Sequence, residues 1–443
     1  MLIRYIFLIV LCSSVFVINP IKASWQGSSI DLSLARQYFQ ETKAVCEQDG
    51  GRLWGAPIYG PILFADPETH TVVANQADTV GLFVQQEGVF TGKLPAEISI
   101  SNTSIDFAGK KWAMIAWPLP EERRRRLRLI THELFHRIQD SLNLPANNPA
   151  NNHLDAMQGR IWLRLEWRAL ERALQEQGMA RQQAIHDAYY FRHHRQHHFL
   201  QSSSQEDLLE LNEGLAEYTG FKLSSRSQGE LAALIGDNLR QGHNRTSFVR
   251  SFAYISGPAY GYLLDTTLPS WRKQITTNKK RLSLSELLYK GLPSKLSQDY
   301  QAQALLRAKY YDSDEIIAAE TRRDQLRQEQ AKKYHARLVE GPLLVLPVTD
   351  KLDYSFNPNN LVPFDGLGTV YPTLRAVDVW GILEVSQGAL LCREGERLTK
   401  IHLPAPENTN GPTITGNGWK LELNTGWVIS AGQRKGDLLL KKK

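Results

Sequence analysis

The sequence predicts an α+β fold: a mixed β-sheet toward the N-terminus, a mostly helical second half and a small C-terminal β domain. Three observations carry this expectation. Short β-prone runs broken by Gly, Pro and Asn fill residues 58–117. Helix-period apolar patterns dominate residues 150–340. After Gly341 and Pro342 the short apolar runs return, with turn residues between them. At 443 residues, 42% hydrophobic and 22% charged, the chain can bury two or three cores and is neither disordered nor fibrous.

The N-terminus is expected to be a signal peptide over 1–23. A short positive start leads into an apolar run over 5–18, and small Ala23 offers a cleavage position. That run is short for a membrane span, so no stable span is expected once the signal is removed, and the protein is expected to be exported to the periplasm or beyond. With Cys12 inside the signal, Cys46 and Cys392 remain, free to pair or to stay as thiols. The net charge of +6 is assigned to solvated helix faces, including Arg123 to Arg126 and the His- and Arg-rich run over 191–198. No basic stripe interleaved with stacking aromatics occurs, so no nucleic-acid partner is expected.

Residues 24–117 read as a helical lead-in followed by strands near 62–64, 71–74, 80–84, 97–101 and 111–117. Residues 118–340 read as the helical part of the same domain. Its first helix opens at Pro118–Glu122 and carries an apolar stripe of Leu127, Ile130, Leu134, Ile138 and Leu142. A polar helix or linker is expected over 318–338, and residues 341–443 form the C-terminal β domain.

His132, Glu133 and His136 form an HExxH arrangement on that first helix. Four residues make just over one turn, so both imidazoles leave one face and can share a metal. Zinc brings the pKa of its water to about 7, and the adjacent Glu133 carboxylate can take the proton as that water attacks a carbonyl. A catalytic zinc needs a third protein ligand. No glycine or third histidine follows at the expected spacing, but Glu210, Glu213 and Glu217 recur at helical steps and should share a face.

The pair His132–His136 and Asn212-Glu213-Gly214-Leu215-Ala216-Glu217 resembles the gluzincin superfamily of zinc metallopeptidases, which includes thermolysin-like and aminopeptidase-N-like enzymes. That resemblance implies a zincin-like core over about 95–265, one Zn2+ per chain held by His132, His136 and Glu213, and Glu217 as the acid behind a zinc histidine. It implies a peptide or protein substrate. It also implies a tyrosine on the next helix that stabilises the oxyanion, Tyr254 first and Tyr260 second. The sequence departs from the family in its long insert over 141–209 and in lacking a segment that reads a free amino terminus. Residues 112–117 are expected either to align a substrate as an edge strand or to be an ordinary buried strand. His153, Asp155 and Glu166 of the insert are given no role in the site. Two other functions stay open: a zinc hydrolase of another envelope amide or ester, and a non-catalytic binding protein of inactive-peptidase type.

Overall fold

The computed structural model describes residues 30–443 except 96, 145, 201, 279–281, 294–298, 358–360, 365, 396, 407 and 410. The expected signal peptide therefore lies outside the described residues. The protein is mixed α+β. It divides into two compact units, Met1–Ser313 and Asp314–Lys443. Among the described residues, no helix is long and apolar enough to cross a membrane.

The first unit opens with α1 (Leu32–Asp49), whose Asp31 carboxylate accepts from the Leu34 N–H and whose end turns at Gly50, φ 60°. A sheet follows, made of β1 (Ile62–Ala65), β2 (Thr71–Ala74), β3 (Val84–Gln86), β4 (Val89–Lys93), β5 (Thr103–Phe107) and β6 (Lys110–Ala116). Their spatial order is β3-β4-β2-β1-β6-β5. β1 and β6 run parallel with Leu63 opposite Met114, while the other pairings are antiparallel. Alternation along β1 and β6 buries both faces. Leu63, Ala65, Trp112 and Met114 meet Val72, Ala74 and Phe83 on one side. On the other, Phe64 stacks on Phe39 of α1 with ring centroids 4.4 Å apart.

Three details differ from the sequence expectation. Residues 97–101 hold no strand, and β5 begins only at Thr103. Residues 80–83 are a turn rather than a strand, because the Asp78 carboxylate accepts from the N–H groups of Val80, Leu82 and Phe83. β6 is internal to the sheet, between β1 and β5, so it is a buried strand and not a substrate-aligning edge.

β6 leads into α2 (Arg123–Ile138), capped by Glu122, whose carboxylate accepts from the N–H groups of Arg124 and Arg125. Then come α3 (Met157–Gln175), α4 (Gly178–His198) and α5 (Ser202–Leu209). A single π turn, Glu210–Gly214, joins α5 to α6 (Leu215–Ser224). α7 (Gln228–Gly242) and α8 (Ser251–Thr267) follow, and three short helices, α9 (Trp271–Thr277), α10 (Leu284–Lys290) and α11 (Tyr300–Ala308), complete the unit.

Two basic runs expected on solvated faces are partly internal. Arg126 is buried, paired to Glu41 at 2.8 Å and lying over the Tyr38 ring. In the 191–198 run, Arg192 and Arg195 are fully buried. Arg192 grips both oxygens of Glu210 at 2.6 and 2.7 Å and donates to Glu166 at 3.0 Å. Arg195 grips Glu206 at 2.8 and 2.9 Å. Buried charges persist only when paired this fully.

In the second unit α12 (Ser313–His335) precedes a seven-stranded and a five-stranded sheet. Leu344, Leu346, Leu391, Ile401 and Leu403 of the larger sheet pack with Leu374, Ala376, Leu383, Trp419 and Leu421 of the smaller, which makes a sandwich. Tyr334 and Leu338 cover Val370 and Leu390 on the outer face of the larger sheet. Cys46 and Cys392 are both free thiols.

Candidate metal centre

α2 and α6 bring the expected ligands together. Tight contact is built in, since a Cβ on Gly220 of α6 would lie 2.7 Å from the Arg128 carbonyl oxygen of α2. His132 and His136 leave the same face of α2, and Glu213 reaches them from the π turn, a device that recurs at functional sites. The two Nε2 atoms are 3.1 Å apart, and each lies 3.5 Å from the Glu213 Oε2. A tetrahedral zinc about 2.0–2.1 Å from N and O donors needs those donors about 3.3 Å apart, so the triangle has the right edge for such an ion.

The hydrogen-bond network fixes which atoms carry protons. The Glu213 Oε1 only accepts, so Asn212 offers its Nδ2 to it at 3.3 Å. The Asn212 Oδ1 then accepts from the Gln139 Nε2 at 2.9 Å, and the Gln139 Oε1 accepts from the His136 Nδ1 at 2.7 Å. On the other side the His132 Nδ1 donates to the Glu217 Oε2 at 2.8 Å. Both imidazoles thus spend their Nδ1–H outward and turn Nε2 toward each other and toward a carboxylate. Three acceptors converging on one point call for a cation, and the donor set of two imidazoles and one carboxylate fits zinc.

Electrostatics marks the same point as one that favours positive charge. Burial alone would hold the His132 imidazole down, but its bonds to Glu213 and Glu217 and the charge of Glu133 lift it well above the usual histidine range. His136 is raised likewise, against burial, by Glu213. Burial would push the Glu213 carboxyl up, and the two histidines hold it well below its ordinary value instead. Glu217 is held at about 2 against burial, by the Arg128 guanidinium and His132. Glu133 alone of these acids is raised, chiefly by burial, with Glu213 and Glu217 adding and the histidines opposing.

Tyr254 is at the site and Tyr260 is not. The Tyr254 hydroxyl donates to the Glu213 Oε2 at 2.5 Å, and its ring stacks on His132 with centroids 5.6 Å apart. Tyr260 donates instead to Glu166 at 2.7 Å, within the buried ion cluster. The reason is a glycine contact, in which a Cβ on Gly257 of α8 would sit 2.3 Å from the Gly214 Cα. Only bare backbone lets α8 cross the π turn so closely, which puts Tyr254, one turn earlier, over Glu213.

Of the three helical-step acids, Glu213 and Glu217 share the site while Glu210 faces Arg192. His153 pairs with Glu206 at 2.8 Å, and Asp155 holds Ser247 and the Phe248 N–H. Sequence reasoning missed Gln139, Arg128, Asn148 and Arg250. Gln139 is three residues from His136 on its own helix, a spacing that could have drawn attention to it. Arg250 and Asn148 come from distant loops and give no local signal. No family model matches the chain, and neither a curated protein nor a solved structure is significantly similar to it.

Proposed function

We propose that the protein is an exported zinc-dependent hydrolase, a peptidase, with a zincin-like catalytic core of the gluzincin type. The observation that carries this reading is the triangle of converging donor atoms, 3.1, 3.5 and 3.5 Å on its edges, beside a buried glutamate. His132, His136 and Glu213 would hold the ion, with Glu217 and Gln139 fixing the two rings. When bound, zinc supplies Lewis acidity to a carbonyl and makes water acidic enough to attack near neutral pH.

The chain's own groups do the rest. Glu133 takes a proton from water on its carboxylate and returns it to the departing amine. The Tyr254 hydroxyl donates to the carbonyl oxygen as negative charge gathers there.

The test is metal content and turnover together. Wild type and Glu133→Gln should each hold one zinc, His136→Ala and Glu213→Ala little. Glu133→Gln should lose about 10²- to 10⁴-fold in turnover on a peptide panel. Zinc binding without cleavage of any peptide, amide or ester would move the reading to a binding protein.

A further inference from the structure

We propose that Arg250 reads the substrate, and that the peptide this site takes carries a carboxylate beside the bond to be cleaved. The inference rests on the metallohydrolase reading above and names its substrate class. Arg250 directly precedes α8, one turn ahead of Tyr254. Its Nη2 lies 3.4 Å from the Glu213 Oε1 and 3.2 Å from the Asn148 Oδ1. Both contacts are longer than the usual 2.9–3.0 Å, so neither ties the Nη2 closely to the site.

Exposure separates it from its neighbours. The Arg250 side chain is 30% exposed, while His132, Glu213 and Glu217 are at 7–9%. Arg128, similarly exposed at 31%, is committed to Glu217 and lies flat over the Phe221 ring at 3.6 Å. Arg250 is therefore the charged group through which this cluster meets solvent on the Glu213 side.

A guanidinium takes a carboxylate through two parallel N–H donors, and the planar fork gives direction as well as attraction. A carboxylate so held would lie within one helical turn of the carbonyl that Tyr254 serves. It can come from an acidic side chain or from a chain terminus.

Calorimetry on the zinc-loaded protein tests this with two probes of equal shape, the monohydroxamate of succinic acid and its neutral amide. The acid should bind about tenfold or more tighter, one charge-assisted contact's worth. Arg250→Gln should abolish that difference at unchanged zinc content, and Arg250→Lys should keep part of it. Equal binding by wild type, or a preference that survives in Arg250→Gln, overturns the proposal. Peptides with an internal Asp and an amidated end, against neutral peptides with a free end, separate the two carboxylate sources. A wild type that discriminates between the probes but cleaves nothing retains the carboxylate site and removes the peptidase reading. Protein that holds no zinc removes both.

Discussion

Asp207 shows how one side chain can set the pH response of the whole first unit. Burial and the Glu210 charge push its carboxyl up to about 7, although Arg192 and a bond from Ser283 oppose them. An unfolded aspartate loses its proton near 3.9, so between about 4 and 7 the native chain binds more protons than the unfolded one. Stability conferred by the protonated acid is full below that window and is lost as pH rises through it. Asp207→Asn should therefore match wild type near pH 4 and exceed it by on the order of 2–4 kcal/mol at pH 8, read from denaturant unfolding at each pH. Equal stabilities at pH 8 would contradict it. Single residues also mark the limit of legibility. His132, Glu133 and His136 are visible because their chemistry repeats at a helical step. Arg192 and Arg195 look like surface charge, since their partners Glu166, Glu206 and Glu210 lie on other helices.

Among elements, α8 carries the most consequence. Pro258 lies inside it and cannot donate to the carbonyl four residues back, that of Tyr254. The Asn238 Nδ2 of α7 donates there instead at 2.8 Å, so the helix continues and the turn bearing Tyr254 stays in place. Just beyond, Gly257 rests on Gly214 of the π turn. Gly257→Ala must push α8 outward and should cost at least about tenfold in zinc affinity and in turnover, as removing support behind a metal ligand does. Gly229→Ala, whose Cβ would meet only the Ser227 Oγ at 4.0 Å, is the control and should be neutral or slightly stabilising. Equal zinc affinity in both variants would mean the contact carries no weight. Element existence was readable for α2, β1, β2 and β6, where apolar periodicity is strong. The π turn was not, because its extra residue leaves no mark on composition, and so Glu210 was assigned to a face it does not share. β4 and β5 also escaped, being short and mostly polar.

At the scale of the molecule the two units have separate cores, one around the first sheet and its helices and one inside the sandwich. Zinc would stabilise only the first, since all its ligands lie there. Calorimetry should show two transitions, of which chelation lowers one and leaves the other fixed. The shift corresponds to about 3–4 kcal/mol for a site loaded at 100 to 1,000 times its dissociation constant. A single transition, or equal movement of two, would contradict this. The sequence announced a β domain through its short apolar runs after Pro342, yet gave no sign that α12 belongs with it, because that helix is polar almost all round. Independent cores have a practical corollary at the bench. If the proposed ion were lost during purification, the sandwich, which holds none of its ligands, would keep its own core, so absorbance would also count protein whose metal centre is empty. Assays of the proposed site are therefore best normalised to bound zinc rather than to protein mass.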